Sequence, residues 1–191
     1  MDIFLNDIGE LSCEKPGPLI TVADLADAVN RFCHANINCS TCTNTCCSGL
    51  CVYADNIFFR NLSERASRTL SDSDTLDLIL SVLKLDFTMR WTVTPNRSGT
   101  CRFLSHKNRC LIYEARPLVC RLHTCLKCSP EFQDLKNNLY YAYREALKTE
   151  IQPLLPKGTL SLISNNVTNP VLGMSNYNTR IRDILLWSKG I

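Results

Sequence analysis

The cysteines of this chain fall in two blocks, and no other feature limits its possible folds as much. Of the twelve, six lie between Cys33 and Cys51, five lie between Cys101 and Cys128, and Cys13 stands alone. Exported proteins close such frameworks with disulfides, whereas cytosolic thiols are kept reduced. The opening run MDIFLNDIGE carries three acidic side chains and no basic region, so no secretory signal is expected and the cytoplasm is the expected compartment. Clustered thiols in a reducing compartment point to metal binding. The longest apolar stretch, Leu76 to Leu83, is interrupted or flanked by Asp77, Ser81, Lys84 and Asp86. It falls far short of the roughly 20 residues a spanning helix needs, so no membrane association is expected.

A length of 191 residues with 45% apolar content suffices for one core and excludes global disorder. Neither cysteine block has enough apolar residues to fold by itself. The expectation is one metal-binding domain over 1–191, with a cysteine core at about 33–128 closed by metal and a helical extension over 129–191.

Spacing within the blocks narrows the ligands. The first block reads Cys33-His34-x4-Cys39-x2-Cys42-x3-Cys46-Cys47-x3-Cys51. A C-x2-C pair turns tightly enough to place two thiolates on one centre, and Cys42 and Cys46 can share a helix face. Adjacent Cys46 and Cys47 diverge by about 100° on a helix or about 180° on a strand, so they belong to two different centres. The second block reads Cys101-x8-Cys110-x9-Cys120-x4-Cys125-x2-Cys128, with His106 and His123 among the thiols. Cys39, Cys42, Cys46, Cys47, Cys101, Cys110, Cys120 and Cys125 make eight ligands, which fits two four-thiolate sites. Cys33, Cys51, Cys128 and His123 form a second tier of metal ligands. For the second-tier cysteines, and for Cys13, a third site and a buried inert thiol are both open.

Charge follows the same blocks. From Cys101 to Cys128 the basic residues are Arg102, Lys107, Arg109, Arg116, Arg121 and Lys127, against Glu114 alone, a local balance of +5. Nearby cations favour thiolates and offset their charge. A solvated surface or a phosphate-binding patch is the alternative. Two four-thiolate sites, each holding a centre of charge 2+, lower the formal +3 of the chain to about −1. The apparent basicity is therefore not a nucleic-acid signal, and no nucleic acid is expected as a partner.

The rest of the chain is patterned mainly for helices. Val22, Leu25, Ala26, Val29 and Phe32 recur at helical spacing after Thr21 and predict a helix that delivers Cys33 and His34 at its end. Further helices are expected over 55–68, over 73–86 behind a Ser71 or Ser73 cap, from Pro130 toward Ile151, and around Ile181, Ile184 and Leu185. The run MRWTVT predicts one short strand or hairpin, followed by a turn at PNRSG. Pro117 suits the first turn of a short helix that presents Cys120 and His123. The fold class is thus mainly α, a small single domain of about five helices with a short β segment, organised around cysteine-ligated metal centres.

Cys39-x2-Cys42-x3-Cys46-Cys47, then Cys101-Arg102-Phe103-Leu104, then Cys110-Leu111-Ile112-Tyr113-Glu114-Ala115-Arg116-Pro117-x2-Cys120-Arg121 resembles the YkgJ-like cysteine-cluster family, described as zinc- or iron-chelating. The run IYEARPLVCR carries the most specific part. The resemblance spans roughly 39–125 and implies the eight first-tier cysteines as ligands. A similar cluster in flagellin lysine N-methylase admits a protein-modifying role.

The ferredoxin run C-x2-C-x2-C-x3-C-P is absent, and a zinc ribbon joining Cys39/Cys42 to Cys125/Cys128 would need 82 residues between the pairs. Many cysteines beside few histidines favour 4Fe-4S clusters over zinc. The radical S-adenosylmethionine triad would require cysteine at Gly49 or Ala54, and no phosphate-loop or H-E-x-x-H motif occurs. The leading reading is a cytoplasmic protein with two 4Fe-4S centres for electron transfer, sensing or cluster-dependent chemistry, served by a redox or protein-substrate partner. The alternatives are a protein- or peptide-modifying enzyme and a structural zinc domain that mediates interactions. No catalytic residue is identified.

Overall fold

Thr21 starts the first long helix as the sequence predicts. Its hydroxyl accepts from the Asp24 N–H, and the Asp24 carboxylate accepts from the Thr21 N–H, a closed capping box. The computed structural model describes residues 1–37, 47, 51–155 and 168–190. Helix α1 (Val22–Asn36) follows that cap. Next come α2 (Asn56–Ala66), capped by Asp55, and α3 (Asp72–Val82), capped by Ser71. A single turn, α4 (Leu118–Arg121), follows Pro117. Ser129 caps the longest helix, α5 (Pro130–Ile151), which opens on proline, and α6 (Ile181–Ser188) ends the described chain. The described residues are mainly helical with two small sheets.

Two antiparallel hairpins complete the fold: β1 (Ile3–Leu5) with β2 (Leu11–Cys13), and β3 (Leu83–Leu85) with β4 (Trp91–Val93). The first lies in a segment whose sequence carried no structural expectation. Its turn is built by Asn6, whose side-chain oxygen accepts from the N–H groups of Ile8 and Glu10, and by Gly9 at φ 76°. The second hairpin corrects the helix expected over 73–86. That helix stops at Val82, because Leu83–Leu85 pairs with Trp91–Val93 and Thr94 N–H donates to the Val82 carbonyl at 2.7 Å. Pairing across the sheet overrides a local pattern that was ambiguous between the two periods.

The core has two parts. Val22, Leu25 and Val29 of α1, Leu118 and Leu122 around α4, Phe132, Leu139 and Tyr143 of α5, and Ile181 and Ile184 of α6 form one cluster. Phe58 and Phe59 of α2, Ile79 and Val82 of α3, Trp91 and Val93 of β4, and Leu147 and Ile151 of α5 form the other. Helices α5 and α2 contribute to both. The 129–151 part of the expected helical extension thus contributes to both parts of the core. Among the described residues, no helix is long and apolar enough to cross a membrane.

Candidate metal centre

A cavity of about 750 Å³ is lined by Cys33, Cys47, Cys51, Cys101, Cys110, Cys120 and Cys125, together with His34 and His123. Each lining residue arrives on a different local device. Cys33 and His34 ride the last turn of α1. Cys101 follows a tight turn in which the Asn96 side chain accepts from the N–H groups of Ser98 and Thr100, and its own N–H donates to the Cys47 carbonyl at 2.8 Å. Cys110 ends a second turn, bridged to Leu104, in which Asn108 adopts φ 55°.

Cys120 sits on α4, one of whose backbone donors is held from across the molecule. The Leu118 N–H donates to Asp55 Oδ2 at 2.6 Å, while Asp55 also accepts from the Phe58 N–H and the Tyr177 hydroxyl. One buried carboxylate thus joins the start of α2, the start of α4 and the Tyr177 segment. Arg121 fixes the far side by donating to the carbonyls of Arg116 and Glu114. Arg116 donates to the Tyr113 carbonyl and stacks 3.6 Å over its ring. No ion pair joins Arg116 to Glu114 among the described residues, and Tyr113 is exposed rather than core.

The thiols interact electrostatically. Cys101 is pulled down to about 6, first by the hydrogen bond from Cys47 and further by the N–H groups of Phe103 and Leu104 and the charge of Arg102, against its desolvation. That hydrogen bond pushes Cys47 strongly up, with burial and the nearby Cys101, Cys120 and Cys110 adding to it. Cys120 is pushed up to about 12 by burial and by Cys101, with Arg116 pulling back. The Cys47, Cys101 and Cys120 thiols thus bear on one another's ionisation, and a cation bound among them would offset the repulsion between thiolates.

Among the described residues, no three Cys, His, Asp or Glu side chains converge closely enough to hold an ion by themselves. Cys39, Cys42 and Cys46, three of the eight expected ligands, lie outside the described residues. Of the second tier, Cys33, Cys51 and His123 line the cavity, whereas Cys128 is not among the lining residues. Burial, aided by Lys136, keeps the His123 pKa below its ordinary value and so favours the neutral, ligating form. Cys13 is a half-buried thiol whose pKa is pushed up to about 11, mainly by desolvation.

Sequence reasoning missed Asp55 and Tyr177. Asp55 was visible only as a residue at the edge of a helix. Its tie to Leu118 spans 63 positions and its tie to Tyr177 spans 122, and neither has a local signature.

A family model described as "Putative zinc- or iron-chelating domain" (CxxCxxCC) matches residues 38–145, more than half of the chain. No curated protein and no solved structure matches. The matched span runs from just before Cys39, through the cavity-lining cysteines of the second block, into α5, and the chain belongs to this zinc- or iron-chelating cysteine-cluster family.

Proposed function

We propose that this metal-binding protein holds iron-sulfur centres for electron transfer, sensing or cluster-dependent chemistry in the cytoplasm. The observation that supports the reading is that Cys47, Cys101, Cys110 and Cys120 line one cavity. These four would form one centre. Cys125, which lines the same cavity, would join Cys39, Cys42 and Cys46 in the second, so that adjacent Cys46 and Cys47 serve different centres. Bound there, a 4Fe-4S cluster supplies one-electron chemistry.

The chain's own residues support and tune such a site. The N–H groups of Phe103 and Leu104 stabilise the Cys101 thiolate, and Arg102 and Arg116 place positive charge beside Cys101 and Cys120. Lys127 does not share this role, because it pairs with Glu10. The preference for iron-sulfur over zinc rests on the excess of cysteine over histidine in the donor set. A redox or protein-substrate partner would meet the centre at the cavity mouth, where Arg109 and Tyr113 stand.

The test is anaerobic purification with iron, zinc and acid-labile sulfide quantified, followed by electron paramagnetic resonance before and after reduction. Two clusters give roughly eight iron and eight sulfide per chain and a signal on reduction. A colourless protein with about two tightly held zinc ions refutes the iron-sulfur reading. Single serine replacements at Cys101 and Cys120 should each lower metal content. If both leave it unchanged, the ligand assignment is wrong.

A further inference from the structure

Cys128 lies apart from the metal cavity and has a different neighbour. Its sulfur is 3.4 Å from Nζ of Lys136, which is only 7% exposed. Among the described residues no carboxylate pairs with this lysine. Its hydrogen-bond partner is the Cys128 sulfur, and its nitrogen sits 5.6 Å from the centre of the Phe132 ring. Burying an ammonium group without a carboxylate is costly, and leucine or methionine would fill the same place without that cost.

Both ends of the pair are held by backbone. Residues 127 and 129 are tied to Leu11, since the Leu11 N–H donates to the Lys127 carbonyl and the Ser129 N–H donates to the Leu11 carbonyl, both at 2.8 Å. Ser129 then caps α5, and Lys136 sits within that helix. Sulfur and nitrogen are thus kept at a high effective concentration. Cys128 is partly exposed, which lets a small oxidant reach the sulfur.

We propose that Cys128 and Lys136 are an oxidation-responsive pair that closes into a covalent sulfur–nitrogen bridge when a peroxide attacks the thiol. In the first step Cys128–SH and H2O2 give Cys128–SOH and water, so that sulfur is oxidised and peroxide reduced. In the second, the Lys136 nitrogen displaces hydroxide from sulfur. Cys128–SOH and Lys136–NH3+ become Cys128–S–NH–Lys136, water and one released proton. The bridge traps the reversible sulfenic stage before irreversible oxidation and removes the lysine charge. It requires Cys128 to stand outside the metal centre, in keeping with its absence from the residues that line the cavity.

The experiment uses the full-length, metal-loaded protein, treated with hydrogen peroxide, alkylated without reductant and digested with trypsin for mass spectrometry. Lys127 and Lys136 are both cleavage sites, so the unmodified thiol appears alkylated in the peptide 128–136. The bridge predicts a peptide 128–144, uncleaved after Lys136 and about 2 Da lighter than its thiol form. Dithiothreitol should restore the cleavage and the alkylation. Lys136→Arg and Cys128→Ser should each abolish the light species. If either variant fails to fold, the wild-type peptide map decides alone. Recovery of Cys128 as sulfinic acid, as a disulfide with another cysteine, or as an oxygen-retaining adduct about 14 Da heavier than the thiol form overturns the proposal.

Discussion

Replacing Asp55 with alanine should destabilise the protein well beyond the loss of one helix cap. The carboxylate accepts from the Phe58 N–H at 2.9 Å, from the Leu118 N–H at 2.6 Å and from the Tyr177 hydroxyl at 3.0 Å, in a site where Asp55 is 4% exposed. Losing the cap costs about 1 kcal/mol. The Leu118 N–H, left buried without a partner, costs about 1–3 kcal/mol, and the Tyr177 hydroxyl, left with only the Arg116 carbonyl at 3.4 Å, costs about 1 kcal/mol. Relief from burying a carboxylate offsets part of this, so a net loss of about 3 kcal/mol is expected, a large share of the stability of a domain this size. Urea denaturation followed by fluorescence of the buried Trp91 reads the global term.

Alkylation of Cys120 in the metal-free protein reads the local term, because α4 loses the anchor of its first turn. Tyr177→Phe alone should cost about 1 kcal/mol, and the two changes together should cost less than their sum, since the hydroxyl left without Asp55 is gone. Burial pushes the Asp55 carboxyl above its ordinary value, while its hydrogen bonds and Arg121 pull back. The folded state then holds this proton more tightly than the unfolded chain. The linked stability is fully present below about pH 3.9 and is lost as pH rises through the raised folded value. Asp55→Asn should remove that slope. A loss below about 1 kcal/mol for Asp55→Ala, with Cys120 protection unchanged, refutes the three-way anchor.

Two further outcomes are expected. In metal-free protein the pH profile of Cys101 alkylation should have its midpoint near 6, the value to which the Cys47 hydrogen bond and neighbouring donors pull it; Cys47→Ala should move that midpoint upward, and an unmoved midpoint removes Cys47 as the cause. Metal removal by chelation should lower the thermal midpoint yet leave the helical signal in far-ultraviolet circular dichroism largely intact. Loss of most of that signal would mean that metal, and not the two apolar clusters, holds the helices together.

What the sequence made legible were features carried by local periodicity or local chemistry. Thr21 with Asp24, Ser129 with Pro130, and the stripe Phe132, Leu135, Leu139 and Tyr143 each state a helix and its buried face within a few residues, and the structure follows them. The β1–β2 hairpin is equally local, since Asn6 and Gly9 set its turn between two short strands. The end of α3 was not local: Leu83 and Leu85 continue an apolar pattern, and only their pairing with Val93 and Trp91 makes them a strand. Cys47, Cys101, Cys110, Cys120 and Cys125 line one cavity, and their role as ligands rests on their spacing and on the proposal above. Spacing places Cys128 in the second tier, and the Lys136 nitrogen beside it, brought there by α5, leaves no spacing signature.

Besides any metal, the protein backbone itself joins the two cysteine blocks. The Cys101 N–H reaches the Cys47 carbonyl, Tyr53 bridges Thr92, and Val93 N–H donates to the Val52 carbonyl, so the chain on either side of Cys51 is tied to the strand and turn that lead into Cys101. The second block is fixed further by the Leu104–Cys110 bridge and by the Asp55 anchor under Cys120. For the described cysteines proposed as ligands, part of the ordering entropy would thus be lost on folding of the polypeptide and not on metal binding. A site arranged in this way gains affinity from preorganisation, and its metal-free form retains a framework for reloading. In structural zinc modules whose fold exists only with metal, binding and folding are one event. Here two buried clusters of ordinary side chains carry the elements that line the cavity, and a metal bound there would offset the repulsion between its thiolates.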